Sequence, residues 1–136
     1  MTLDLERLRG LAAKYTAAWC SQDPASVASF FGPEGSLQVN DAAPARGRAA
    51  ITDVARGFMT AFPDMKVLMD EVALDGDGAV YRWTLVGTNT GPGGTGRPVR
   101  VSGYERWRIG EDGLIAESLG HFDAAEYTRQ ITGQPR

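Results

Sequence analysis

Val99-Arg100-Val101-Ser102-Gly103-Tyr104-Glu105-Arg106-Trp107-Arg108-Ile109 is the stretch that decides the fold. Side chains of a strand alternate between two faces. One face here reads Val99, Val101, Gly103, Glu105, Trp107, Ile109, and the other Arg100, Ser102, Tyr104, Arg106, Arg108. The first set is apolar except for one carboxylate. A buried charge is costly, so Glu105 must find an ion-pair partner, meet water or hold a raised pKa. It is therefore either part of a structural ion pair or a site.

The same alternation extends outward. Tyr81, Trp83, Leu85 and Gly87 continue the inner face on the preceding strand, and Ser118, Gly120 and Phe122 on the following one. Strands are expected near 65–75, 79–89, 97–109 and 114–122. Their links carry turn chemistry (Asp75-Gly76-Asp77-Gly78, the glycine-rich segment 91–96 and Gly110-Glu111-Asp112-Gly113), which predicts antiparallel hairpins. Upstream, Leu8, Leu11, Ala12, Tyr15, Ala18 and Trp19 recur at helical spacing and predict a helix over 3–21. Asp23-Pro24 opens a short second helix to Phe31, and Gly32-Pro33-Glu34-Gly35 breaks it before a short strand over 36–40. A third helix runs from Arg48 to Phe62, with Ile51, Val54, Ala55, Phe58 and Phe62 as its stripe and Pro63 as its stop. A last helix starts at Asp123 and stops near Gly133. Helices first and a sheet after give the α+β class. The expected architecture is a single domain over 1–136: a curved antiparallel sheet wrapped on three helices, forming a cone with an internal cavity.

At 136 residues the chain suits one domain with one core. A net charge of −3 with dispersed Lys and Arg argues against nucleic-acid binding. No apolar run reaches a membrane span. The acidic N-terminus has no apolar signal-peptide core, so a cytoplasmic location is expected. One cysteine, Cys20, excludes an intrachain disulfide and a cysteine metal cluster; one histidine, His121, excludes a multi-histidine metal site. Neither a metal nor an organic cofactor is expected. The 91–96 segment joins two strands rather than a strand to a helix, so it reads as a hairpin tip and a possible lid, not a phosphate loop.

The order of elements resembles the nuclear transport factor 2-like superfamily, and within it the SnoaL-like polyketide cyclases and ketosteroid isomerase-like proteins. The resemblance runs from Tyr15 to Gly133. It is carried by Phe62-Pro63-Asp64, Tyr81-Arg82-Trp83-Thr84-Leu85, Gly87-Thr88-Asn89-Thr90-Gly91, Gly103 to Ile109, Asp112-Gly113, and Ile115-Ala116-Glu117 leading to Asp123. It implies a homodimer through the outer sheet face. Cyclases of this type carry a catalytic carboxylate on the last strand, where this chain has Gly120, unless a shifted register brings Asp123 there. In isomerase-like relatives a first-helix tyrosine and a third-strand carboxylic acid donate to an enolate, and Tyr15 and Glu105 match those positions. The isomerase base falls near Asn40 or Asp41.

Together these readings give Glu105 as acid or proton carrier, Tyr15 as oxyanion donor and Asp41 as base. Trp19, Asn40, Phe58, Phe62, Trp83, Trp107 and Phe122 are expected around a small apolar or aromatic ligand. Gly103 beside Glu105 leaves room for close approach. Asp123-Ala124-Ala125-Glu126 fits a helix cap, and alternation turns His121 away from the cavity. The expected chemistry is proton transfer on an apolar carbonyl substrate: isomerisation, aldol-type cyclisation or dehydration. The competing reading is a non-catalytic ligand-binding or dimerisation module. The two part on whether Glu105 faces an open cavity or an arginine in a filled core.

Overall fold

The computed structural model describes residues 4–133. Helix α1 spans Leu5–Trp19, α2 Pro24–Ala28, α3 Arg48–Ala61 and α4 Ala124–Thr132. Strands β1 (Phe31–Val39), β2 (Ala45–Arg46), β3 (Lys66–Asp75), β4 (Gly78–Thr88), β5 (Pro98–Ile109) and β6 (Ile115–Phe122) form one curved, unclosed sheet in the order β2-β1-β6-β5-β4-β3. The three hairpin neighbours β3–β4, β4–β5 and β5–β6 are antiparallel, as their turns predict. The β1–β6 pair is parallel, which departs from an all-antiparallel sheet: the chain reaches β6 only after crossing the whole sheet.

The first strand starts five residues earlier than expected. Gly32-Pro33-Glu34-Gly35 does not end an element; it makes an irregularity inside β1, with the register to β6 shifting between Phe31 and Ser36. A proline without an N–H is tolerated at such a bulge. Gly35 is required there, since a Cβ would sit 3.0 Å from the carbonyl oxygens of both Gly32 and Ile115.

Alternation decides what is buried. On β5, Val99, Val101, Glu105 and Trp107 are buried while Arg100, Ser102, Arg106 and Arg108 are exposed. On β3 the buried positions switch from Val67 to Val72, odd to even, because the register shifts between Met69 and Glu71. One extra residue flips every later side chain to the other face.

Helix α1 buries Leu8, Ala12, Tyr15, Ala18 and Trp19 against the sheet, and Asp4 caps it by accepting from the Arg7 N–H at 2.8 Å. Helix α3 buries Ile51, Ala55 and Met59. Helix α4 buries no residue fully. It is held instead by Gln130, which accepts from the Arg100 N–H and donates to the Arg100 carbonyl, and by Thr95 donating to the Ile131 carbonyl. Among the described residues no helix is long and apolar enough to cross a membrane.

The 91–96 segment is pinned rather than lid-like. Asn89, buried at its root, donates to the Ala61 carbonyl and accepts from the Thr95 N–H. A Cβ on Gly91 would overlap the Thr60 carbonyl, so only glycine lets the tip pack against the end of α3. None of residues 91–96 borders the interior cavity described next.

Candidate functional site

The inner face of the sheet, with Trp19 of α1, Phe58 of α3 and Tyr127 of α4, surrounds an apolar cavity of about 60 Å3. Aliphatic walls come from Leu37, Val39, Val67, Leu85 and Val101, and aromatic ones from Trp19, Phe58, Tyr81, Trp83, Phe122 and Tyr127. Glu105 is the one carboxylate on its lining and is 7% exposed.

Three donors converge on one oxygen of that carboxylate. Oε1 accepts from the Tyr15 hydroxyl at 2.9 Å, the Trp107 indole N–H at 3.0 Å and the Ser118 hydroxyl at 2.7 Å. Each donor comes from a different part of the fold: α1, the same face of β5 two residues on, and β6. No arginine or lysine pairs with Glu105 among the described residues. No donor among them reaches Oε2 either, since all three bonds lie on Oε1. The carboxyl is thus clamped at one oxygen and presents the other.

Burial pushes the Glu105 pKa up, and the bonds from Trp107, Ser118 and Tyr15 only partly oppose it. Desolvation is the larger effect because the site supplies no positive charge. Burial and the nearby Glu105 charge likewise raise the Tyr15 hydroxyl well above its ordinary value. Tyr15 therefore stays a proton donor. The Tyr81 hydroxyl, also raised by burial, bonds Thr16 at 2.6 Å, and its ring stacks on Trp107 at 4.9 Å.

The predicted site residues divide clearly. Glu105, Trp19, Phe58, Trp83 and Phe122 border the cavity. Tyr15 does not: it is fully buried behind Glu105, and its one hydroxyl proton is committed to Oε1. That bond holds the Glu105 carboxyl from the side of α1. Trp107 is likewise behind the wall, as a donor to Glu105, and Phe62 packs in the core against Tyr127. Asp41 is exposed and outside the cavity, because the chain turns away after β1. Asn40, in a left-handed conformation at φ 51°, clamps the ends of β1 and β6: its N–H donates to Gly120 O and its Oδ1 accepts from the Phe122 N–H.

Gly103 leaves no open space beside Glu105. A Cβ there would lie 2.6 Å from the Trp83 ring, which covers it from the partner position on β4. The opening comes instead from Gly120, directly across from Glu105 in the β5–β6 register and bordering the cavity. A Cβ on Gly120 would sit 3.7 Å from Glu105 Cγ. Asp123 does not substitute for a carboxylate at Gly120; it caps α4 by accepting from the Glu126 N–H at 3.0 Å. His121 is exposed, and its ring lies 5.6 Å from Tyr104, although the residue also borders the cavity.

Tyr127 is the aromatic wall residue that sequence reasoning missed, alongside the aliphatic Leu37, Val39 and Val67. Its position depends on how α4 docks, and the helix period of 124–132 alone does not reveal that. Phe122 and Phe62 hold its ring edge-on, and burial raises its pKa. Two further groups stand out. The indole N–H groups of Trp19 and Trp83 are buried and have no hydrogen-bond partner. The Trp19 N–H lies near enough to the Tyr15 hydroxyl to damp its pKa rise, yet does not reach hydrogen-bond geometry. Among the described residues no cluster of three His, Cys, Asp or Glu side chains could hold a metal ion.

Comparison with known proteins places this geometry in a family. A SnoaL-like polyketide cyclase, so described as putative, from Jannaschia sp. CCS1 superposes with a TM-score of 0.82 at 17% identity, over 99% of this chain and 97% of that one. TsrD from Streptomyces laurentii superposes at 0.81 with 28% identity, over 95% and 97%. A hypothetical protein with a ketosteroid isomerase-like fold from Catenulispora acidiphila, solved with trimethylamine, superposes at 0.80 with 17% identity, over 92% and 93%. No curated protein matches the chain in sequence. The fold is that of the nuclear transport factor 2-like, ketosteroid isomerase-like proteins. The model of the SnoaL-like domain matches residues 12–118, which includes the second half of α1, most of the cavity lining and Glu105, and the chain belongs to that family.

Proposed function

We propose that this protein is a cofactor-independent enzyme that moves protons on a small, largely apolar carbonyl compound, with Glu105 as its acid/base group. The supporting observation is the one-sided clamp. With Oε1 held by Tyr15, Trp107 and Ser118, the proton that Glu105 gains or loses belongs on Oε2. A carboxyl with a raised pKa is closer to neutral solution in proton affinity, which is what general acid/base work requires. Oε2 as base takes a proton from a carbon next to the carbonyl and, as acid, returns it at another atom of the same substrate. That step is shared by isomerisation, aldol-type cyclisation and dehydration. The chain acts as a homodimer through the outer sheet face, where Leu119, Tyr104 and His121 lie on neighbouring strands.

The absence of a second carboxylate at Gly120, opposite Glu105, also supports a second reading, a ligand-binding module without catalysis. About 60 Å3 holds a few waters, whereas a ~150 Å3 cavity is known to admit benzene. A ring-sized ligand requires the half-buried wall residues Phe58, Trp83 or Tyr127 to move. The test is exchange of α-hydrogens for deuterium in a panel of small ketones, followed by NMR. The enzyme reading expects accelerated exchange that drops by about 10²–10⁴-fold in Glu105→Gln. Equal rates with wild type and Glu105→Gln would leave the binding-module reading.

A further inference from the structure

Antiparallel pairing sorts the inner faces of β4, β5 and β6 into cross-strand rows. Ala79, Trp107 and Ser118 form one row, Tyr81, Glu105 and Gly120 the next, and Trp83, Gly103 and Phe122 the third. The first row is closed. Its Trp107 and Ser118 donate to Glu105 Oε1, and none of its three residues borders the cavity. Trp83 and Phe122 of the third row do border it, as do Leu85 and Val101 one row further on. The cavity therefore lies on the side of Glu105 away from its clamp. Within the Glu105 row, Gly120 is the member without a side chain, and it belongs to the cavity wall. Ser118 and Phe122 are buried on the inner face, so a side chain at 120 would project inward as well. Its Cβ would stand 3.7 Å from Glu105 Cγ, an ordinary contact, and 3.2 Å from the Gln38 carbonyl oxygen, a close but not prohibitive one. Gly120 is not among the glycines with positive φ, so its backbone conformation does not call for glycine. What glycine provides at this position is room.

We propose that Gly120 is a specificity-determining residue of the Glu105 site, its missing side chain leaving beside the carboxyl the room taken by the carbon substituents of a ketone larger than acetone. This rests on the reading of that cavity as the substrate site and deepens it by naming the residue that sets ligand size. The cavity measures about 60 Å3, so a single methyl group at 120 takes a large share of it. Extra volume in a packed site excludes a ligand that fits without it, and one methylene is worth about 10- to 200-fold in recognition. A residue larger than glycine at 120 would restrict the site to smaller ketones. The clamp on Oε1 comes from the row on the other side of Glu105 and from α1, so it would remain in place.

The test compares two ketones of different size on the intact protein. Wild type and Gly120→Ala are titrated with cyclopentanone and with acetone, and binding is followed by NMR. Cyclopentanone bound to wild type is expected to show nuclear Overhauser contacts to the Gly120 Hα protons. Gly120→Ala should weaken cyclopentanone binding about 10-fold or more and change acetone binding by less than about 2-fold. The inference is overturned if cyclopentanone does not bind wild type, if bound cyclopentanone shows no contact to Gly120, or if Gly120→Ala weakens both ketones alike, as strain against Gln38 would. Should Gly120→Ala not fold, the wild-type contacts decide the matter alone. Deuterium exchange on the same samples separates the two claims. Size selection at Gly120 without Glu105-dependent exchange removes the acid/base chemistry alone. Glu105-dependent exchange that falls equally for both ketones in Gly120→Ala removes the Gly120 assignment alone.

Discussion

Glu105 and Arg106 are adjacent in sequence and lie on opposite faces of β5, where the same kind of group behaves differently. Outside, Arg106 pairs with Asp75 at 3.6 Å with both side chains more than half exposed (60% and 58%). Water screens that pair, and its contribution to stability is small. Tyr104 on the same face takes the guanidinium groups of Arg82 and Arg106 against its ring. Inside, a single carboxylate without a cation has its pKa raised by burial and its orientation set by three neutral donors. Charge density on the outer face exceeds that of the cavity, yet the carboxyl whose pKa is raised lies in the cavity. Desolvation, not the number of charged residues, makes the difference.

The sharpest way to break this contrast is to remove the inner acceptor. Glu105→Ala leaves the Tyr15, Trp107 and Ser118 donors facing a void, and should lower stability by about 3–5 kcal/mol in denaturant unfolding. Glu105→Gln keeps an acceptor oxygen for the same donors and should lie within about 1 kcal/mol of wild type in mildly acidic solution.

The sign of the pH dependence sharpens the contrast further. The folded-state pKa of Glu105 lies above its unfolded value, so the native state favours the protonated form. The stabilisation from Glu105 is fully present below the unfolded value near ~4.3 and is lost as pH rises through the folded pKa. Wild type should therefore lose stability relative to Glu105→Gln as pH increases across that window, measured as paired melting curves.

Tyr15→Phe removes one of the three donors to Oε1. It should cost about 1 kcal/mol and raise the Glu105 pKa further, because one bond favouring the charged form is gone. Carboxyl NMR reads the second effect directly. On the outer face, Asp75→Asn should change stability by less than ~0.5 kcal/mol, and that small effect should fade at high salt.

The inner face of the sheet was legible in the sequence because alternation is local. Val99 through Ile109 assigns the faces by itself, whereas the pairing of Gly120 with Glu105 depends on a register shift between Arg108 and Ile109 that the sequence left open. The α1 stripe and the Asp123 cap were legible for the same reason: helix period and capping act over three or four residues. What the sequence did not reveal depends on contacts between distant elements. Gly103 reads as open space, but Trp83 one strand over fills it. Asn40 reads as a ligand-facing turn residue, but its side chain is committed to the β6 backbone. Tyr127 enters the wall because Gln130 docks α4 on Arg100, thirty residues earlier in the chain. Tyr15 was legible as a core-face residue of α1, but the partner of its hydroxyl was not. Only the coordinates show that its hydroxyl is already committed and that two tryptophan N–H groups are not.

The central claim is that Glu105 is a desolvated acid clamped at one oxygen and free at the other. Titration of its carboxyl carbon by NMR, assigned with Glu105→Gln, tests that claim most directly. The account predicts a pKa clearly above the ordinary glutamate value near ~4.3. A value at or below it would mean that the carboxyl is solvated or ion-paired in solution, and would contradict both the clamp and the acid/base role built on it.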